Sequence, residues 1–386
     1  MKSFPSVSGL PRGAFPLPGT TDRTRAGRRG LRLAPIALAL LPLLAACGDD
    51  HLKKYPQTAF APTTEYARIT DHLFKLTLWL GVVVGILVFA LMAYIIWRYR
   101  YQPGAPEPQQ IHGNTRLELM WTFVPALILA VIAVPTVRAI FATQPQPDPS
   151  ALTVEVVGKQ WWWEFRYPGP INAADGTVLV PAGDTLVTAN EIHVPVGRQI
   201  NLLLRSDNVL HSFWVPQMGG KRDLIPNRVN RLVFTPEESG VYLGQCAEFC
   251  GDSHALMRMR MVAQAGPEFS EWMRNETQPA VQPAATDSSV AIGKQLFNQV
   301  GCAGCHFVAQ QGRNLDMPPL QGPNLTHVGR RRTIAGGILE NNAENLNRWI
   351  DDPTGVKPGS KMKRPQPDSW NAEQVRYIAA YLQTLQ

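Results

Sequence analysis

The apolar positions of this chain fall into distinct regimes along its length. From Leu78 to Trp97, and again from Leu119 to Val137, they are nearly continuous and no charged residue interrupts them. Runs of that length predict two membrane-spanning helices rather than core helices of a soluble domain. Pro125 and Pro135 lie inside the second run, where neighbouring groups can satisfy the carbonyls a proline frees. From the Pro-rich stretch Gln144–Pro149 to about Met261 the pattern changes to short β-branched runs punctuated by Gly, Pro, Asn and Asp. Leu152–Val157, Leu186–Ile192, Gln199–Leu204, Arg231–Phe234 and Val241–Gly244 read as strands. Met257–Met261 alternates strictly, as a half-buried strand does. Many short strands with no helix between them predict a small sandwich or barrel. Gln160–Phe165 carries three consecutive tryptophans, expected in one strand, so that at least one faces away from the core. Thr277–Ser289 lacks bulky apolar residues and reads as a linker able to span on the order of 35 Å. Helical signatures at Val290–Val300 and Ala372–Leu385 then bound a small all-α domain. The expected organisation is a leader over residues 1–46, a two-helix hairpin over 60–142, a β domain over 150–276, a linker over 277–289 and an α domain over 290–386.

Charge sharpens the picture at the N-terminus. The formal charge is +7, yet residues 1–46 hold seven basic side chains against Asp22 alone. The remainder is near neutral, which removes support for a nucleic-acid partner. A basic region ending near Arg32, an apolar run Ala34–Leu41 and small residues before Cys47 form an export signal. The segment resembles a bacterial lipoprotein signal, which would make Cys47 a lipidated first residue. The rival reading is a plain signal peptide with an incidental cysteine. Arg98, Arg100 and Arg116 place the loop between the two helices in the cytoplasm and both large flanks outside, at the bacterial inner membrane. Between the helices, Glu118 lies at the cytoplasmic mouth of the second. By position alone it is a solvated structural carboxylate as readily as a proton relay.

The cysteines carry the chemistry. There are five, an odd number for an exported chain, and each has a candidate role outside a disulfide framework. Cys246 and Cys250 sit four apart, His254 four later, Met257 three after that, and His211 lies upstream in the apolar run Val209–Trp214. Thiolate, imidazole and thioether suit copper, and a mononuclear blue-copper site needs only one cysteine. The second cysteine fits a dinuclear centre with bridging thiolates. Structural zinc is the competing reading, although zinc favours Cys and His without Met. Downstream, Cys302-Ala303-Gly304-Cys305-His306 is the attachment signature of c-type haem, with His306 as proximal ligand; a thioredoxin-like redox pair is the alternative. A methionine as sixth ligand raises the potential. Met362 and Met317 are the candidates. His193, His327, Met259 and Met261 read as structural. Residues 146–278 carry eleven basic and fifteen acidic side chains, and residues 290–386 eleven and seven, so the two domains have opposite net charge and attract one another.

The run Cys246-Ala247-Glu248-Phe249-Cys250-Gly251-Asp252-Ser253-His254-Ala255-Leu256-Met257 resembles the copper-A loop of subunit II of haem-copper cytochrome c oxidases, and the likeness extends over about residues 60–275. It implies a membrane hairpin followed by an all-β, cupredoxin-like Greek-key domain. It also implies that His211, Cys246, Cys250, His254 and Met257 are side-chain ligands of dinuclear copper A. Glu248 would add its backbone carbonyl, and its carboxylate would help hold magnesium or manganese at the interface with subunit I. By the same resemblance Trp161 passes electrons toward subunit I, Glu118 opens a proton pathway, and Asp223 is an interface acid. The C-terminal module is similar to small cytochromes c. Its Lys357-Pro358-Gly359-Ser360-Lys361-Met362 resembles the family motif that supplies the methionine ligand, favouring Met362, with Cys302 and Cys305 binding haem c covalently. Trp162, Asn227 and Lys363 depart from the usual tyrosine, glycine and proline. The implied function is electron input to a respiratory oxidase. Electrons would pass from cytochrome c or another periplasmic donor, through haem c and copper A, to subunit I, for oxygen reduction coupled to proton pumping. The partners are subunits I and III, the donor and the lipid bilayer. An electron-input subunit of a copper-A nitric oxide reductase is the alternative within redox enzymes. A non-enzymatic copper-binding lipoprotein is the alternative outside them.

Overall fold

The computed structural model describes residues 57–281, 288–315, 317–318, 320–365 and 370–386. The expected leader and Cys47 lie outside the described residues. Two long helices come first, α1 (Glu65–Arg98) and α2 (Thr115–Ala142). Thr64 caps α1 by accepting from the Ala67 amide, and Asn114 caps α2 by accepting from Arg116 and Leu117. The Glu118 carboxylate accepts from the Asn114 amide at 3.2 Å, so it belongs to the cap as well. Both helices are long and apolar enough to cross a membrane, and α2 buries none of its residues within the chain. Their apolar surface therefore needs an outside partner. The outer end of α1 is tied to the next domain. Thr63 and Thr64 hydroxyls donate to the Gln217 and Met218 carbonyls at 3.0 and 2.7 Å, and Arg68 pairs with Glu237.

The β domain comprises β1 (Leu152–Lys159), β2 (Trp162–Pro168), β3 (Ile171–Asn172), β4 (Val178–Val180), β5 (Thr185–Ala189), β6 (Glu191–Pro195), β7 (Ile200–Ser206), β8 (His211–Trp214), β9 (Arg222–Leu224), β10 (Asn230–Phe234), β11 (Gly240–Cys246) and β12 (Arg258–Gln264). They form two five-stranded sheets, ordered β10-β7-β1-β2-β5 and β6-β12-β11-β8-β9. β1 runs parallel to β7 and β6 parallel to β12; the other pairs in these sheets are antiparallel. One core serves both sheets: Val154, Val156, Trp163 and Phe165 from the first meet Ile192, Phe213, Met259 and Met261 from the second. Met259 and Met261 are thus packing residues, as their alternation in β12 predicts.

Two expectations need correction. Leu186–Ile192 is not one strand. Asn190 adopts the left-handed conformation (φ 62°) and passes the chain from the first sheet to the second. Asparagine tolerates that region because its short polar side chain can bond locally. Here its amide donates to the Trp163 carbonyl at 2.9 Å, and its Oδ1 accepts from the Trp163 amide at 3.0 Å. The three tryptophans do not share a strand either. Trp161 sits in the turn between β1 and β2, Trp162 is half-exposed and Trp163 is fully buried.

A helix follows β12, α3 (Gly266–Glu276), which drives Phe269 and Met273 into the β core. Residues 277–281 lie against the last domain. The Ala280 amide donates to the Ala309 carbonyl at 2.8 Å and the Asn314 amide to Thr277 at 2.9 Å. That domain holds α4 (Ser288–Gln299), a short hairpin β13 (Thr333–Ile334) and β14 (Leu339–Glu340), α5 (Ala343–Asp351) and α6 (Ala372–Thr384). α4 and α6 cross closely at Gly293, where a Cβ would lie 1.9 Å from the Tyr377 carbonyl oxygen. Phe297 meets Tyr381 edge-on beside that crossing, with ring centres 5.7 Å apart.

Candidate functional site

Strand geometry assembles the sulfur and nitrogen donors. β8 opens with His211 and β11 closes with Cys246, and the two strands pair at Cys246 and Phe213. The loop leaving Cys246 runs for eleven residues and returns as β12 at Arg258. Its ends are pinned by the Cys246 amide donating to the Met257 carbonyl at 2.9 Å, and Ala247 donates to Ser212 at 2.9 Å. Within the loop Gly251 takes φ 110°, a conformation that favours glycine, and a single 3-10 turn then carries His254 inward.

All five predicted side-chain donors meet there. The sulfurs of Cys246 and Cys250 are 3.8 Å apart and free. His211 Nδ1 lies 3.8 Å from the Cys246 sulfur, His254 Nδ1 3.7 Å from that of Cys250, and Met257 Sδ 3.9 Å from Cys250. The Glu248 carbonyl stands 3.2 Å from the Cys246 sulfur while its side chain is exposed. The donors thus divide into two sets, one around each sulfur. His211 and Met257 are fully buried. The hydrogen bond from Cys250 holds the Cys246 thiol far below its usual range, and the bond to that thiolate, with burial, pushes Cys250 up. A thiol whose deprotonated form is favoured in this way is chemically suited to bind a soft metal ion.

Supporting contacts orient the donors. His211 Nε2 lies 3.0 Å from Asn208 Oδ1, and that same oxygen accepts from the Val209 amide at 2.8 Å. An oxygen that accepts from an amide requires the imidazole to donate through Nε2, which leaves the Nδ1 lone pair for a metal. Gly158 lets the ring lie over β1, since a Cβ there would approach His211 Cδ2 to 2.8 Å. On the other side of the loop, Gln160 Nε2 and the Trp161 indole both donate to the Cys250 carbonyl at 2.9 Å.

Trp161 belongs to the β-domain core and is only 8% exposed, and the C-terminal domain touches it as well. The buried Lys357 ammonium donates to the Trp161 carbonyl at 2.5 Å and to the Ala335 carbonyl at 3.1 Å, and burial lowers its pKa to about 7. Ser253 in the ligand loop donates to the Pro358 carbonyl. Elsewhere the Arg258 amide donates to Gly336 at 2.9 Å, Asn324 to the Val187 carbonyl at 3.1 Å, and the Thr333 amide to buried Glu191 at 2.9 Å. Lys357 was visible in the sequence only as the start of a methionine motif. Asn208 carried no signal beyond lying three residues before a histidine.

In the C-terminal domain Cys302–Gly304 forms a 3-10 turn that puts both free thiols just ahead of His306. His306 Nδ1 lies 2.9 Å from the Pro323 carbonyl, which makes Nδ1 the donor. Nε2 then has a free lone pair and no hydrogen bond to a described residue. Burial lowers the His306 pKa, favouring the neutral ring that ligates iron. Gly322 admits this ring, for a Cβ there would meet His306 Cε1 at 2.7 Å. Met362 is half-buried. Met317 lines a cleft of about 330 Å³ beside Glu155, Lys159 and Glu164 of β1 and β2.

Comparison with known proteins agrees with this division. The family model for the periplasmic domain of cytochrome c oxidase subunit II matches residues 152–265, that for its transmembrane domain residues 54–139, and that for cytochrome c residues 290–386. Cytochrome c oxidase subunit 2 of Alkalihalophilus pseudofirmus is 35% identical over 361 residues, covering 92% of this chain and 96% of that protein. The chain belongs to the cytochrome c oxidase subunit II family. The subunit 2 proteins of Bacillus sp. strain PS3 and Bacillus subtilis are 34% and 31% identical, covering 89% and 88% of this chain and 94% and 93% of theirs. This subunit II is therefore a membrane-anchored part of a haem-copper oxidoreductase. A cupredoxin-like domain that implies copper A lies outside the membrane, followed by a cytochrome c domain that implies haem c.

Proposed function

We propose that this chain is the electron-input subunit of a respiratory oxidase, taking electrons from a c-type cytochrome or another periplasmic donor and delivering them to subunit I. Haem c and copper A, when bound, each accept and return one electron. The observation that carries the reading is the pairing of donors with sulfurs. Cys246 has His211 and the Glu248 carbonyl beside it, and Cys250 has His254 and Met257. Two such sets sharing two thiolates fit a dinuclear copper centre, while a zinc site needs neither the methionine nor the second set.

The residues divide the remaining tasks. Cys302 and Cys305 are the points of covalent haem attachment and His306 the proximal ligand. Met317 sits against β1 and β2, which supports Met362 as the sixth ligand. Trp161 touches the Cys250 carbonyl on one side and the cytochrome domain on the other. Those contacts favour an inlet role for Trp161 over the outlet expected from resemblance. Glu248 and Phe249 are adjacent exposed residues of the ligand loop, with Phe249 76% exposed. They suit the outlet toward subunit I, where the Glu248 carboxylate can bind magnesium or manganese. Glu118, beside the arginine-bearing loop that reads as cytoplasmic, is assigned the entry of a proton pathway of subunit I, with subunit III alongside. Purification from membranes followed by optical and EPR spectroscopy tests the reading. Haem a bands with a mixed-valence copper-pair signal support the oxidase, and haem b without haem a identifies a nitric oxide reductase instead.

A further inference from the structure

The segment Lys357-Pro358-Gly359 touches the copper-ligand loop and Trp161 at three points within three residues. Lys357 Nζ donates to the Trp161 carbonyl and is itself only 4% exposed. The Pro358 carbonyl accepts from Ser253, which is fully buried and adjoins the ligand His254. Gly359, at φ 78°, approaches Asp252 and the Trp161 ring so closely that a Cβ would stand 2.9 Å from each. The same segment leads directly to Met362. A lysine buried against carbonyls is costly unless those bonds are made, so the contact is specific rather than a loose electrostatic encounter.

From these contacts we infer that Lys357 and Ser253 are positioning residues forming a clasp that locks the cytochrome domain on the copper loop and makes haem-to-copper transfer within the chain a fixed-geometry step. The inference rests on the function proposed above. With haem c and copper A bound, the step would move one electron from ferrous haem iron, leaving it ferric, to the copper pair, reducing it by one. No bond is made or broken and no proton moves, and a donor of the c-type cytochrome class restores the electron. The clasp also covers Trp161, so a soluble cytochrome has no direct approach to that side of the copper loop. Entry is then serial, through haem c first.

The test uses the full chain in detergent, with and without metal and haem, carrying Ser253→Ala, Lys357→Met or Lys357→Arg. In the chain without cofactors, hydrogen exchange reports the clasp directly, because the Arg258 amide is bonded to Gly336 across the interface. Ser253→Ala and Lys357→Met should each speed exchange at Arg258 by about ten-fold, the effect of losing about 1.4 kcal/mol of docking, with Lys357→Arg closer to the parent. In the loaded chain, transfer after flash reduction of haem c should slow by about ten-fold in the same two variants, with haem and copper spectra unchanged. Exchange and transfer both within about two-fold of the parent, in variants with native spectra, would overturn the clasp. If the parent shows protected Arg258 but binds no copper, the functional reading fails while the docking contact stands.

Discussion

Removing one acceptor behind a proposed copper ligand has a calculable consequence. Asn208 Oδ1 accepts from both the Val209 amide and His211 Nε2, at 2.8 and 3.0 Å. His211 is fully buried, so water cannot replace the lost partner. In Asn208→Leu the imidazole N–H is left unsatisfied, at a cost of about 1–3 kcal/mol. The ring also loses the contact that keeps its Nδ1 lone pair beside Cys246. Outer partners of metal-bound histidines are worth about 10–100-fold in affinity, or roughly 1.4–2.7 kcal/mol. Competition with a copper chelator in the purified full chain should show a loss in that range, and the EPR spectrum should report altered coupling to one histidine nitrogen. Asn208→Asp keeps an acceptor and should recover most of the affinity. An affinity within two-fold of the parent, with an unchanged spectrum in Asn208→Leu, would mean that Asn208 does not fix the tautomer.

Other consequences follow from packing and titration. Gly158→Val drives a side chain into the His211 ring and should distort the copper spectrum while leaving haem content normal. Gly293→Val forces α4 and α6 apart at a point where even a Cβ has no room, and should destabilise the cytochrome domain by about 3 kcal/mol in denaturant titration without affecting copper. Burial lowers the His193 pKa to about 4, and its ring stacks on Trp272 at 4.1 Å between centres. The unfolded imidazole titrates near 6.5, so the unfolded chain binds the extra proton between those values. The stability from the neutral ring is then full above pH 6.5 and falls as pH drops toward 4, by up to about 3 kcal/mol. His193→Phe should flatten that part of the pH–stability curve. Replacing Cys302 and Cys305 by serine should abolish covalent haem attachment, read as loss of haem stain on a denaturing gel, while copper still loads.

Much of this architecture is legible in the sequence because its signals are one-dimensional. The uncharged runs at Leu78–Trp97 and Leu119–Val137 announce helices by length alone. The copper loop packs four donors into twelve residues, so spacing exposes it. What stayed hidden depends on the third dimension. Asn190 turns the chain between sheets through a positive φ that a β-branched run gives no hint of. Trp161 leaves the strand that its neighbours occupy, and its side chain answers to Cys250, some ninety positions away. The linker composition of Thr277–Ser289 gives no sign of Thr277 and Ala280 pairing with Asn314 and Ala309. Opposite net charge predicts that the two redox domains attract, yet the contact itself is made by buried groups such as Lys357, Ser253 and Glu191.

The most direct test of the account follows a single electron. A soluble c-type cytochrome, reduced by a light pulse, supplies electrons to the purified oxidase containing either the parent chain or the haem-free Cys302→Ser/Cys305→Ser chain. In the parent, decay of the ferrous haem c band should match bleaching of the copper band. In the haem-free chain the copper pair should stay oxidised over the same interval. Copper reduced equally fast in both would contradict serial input through the cytochrome domain.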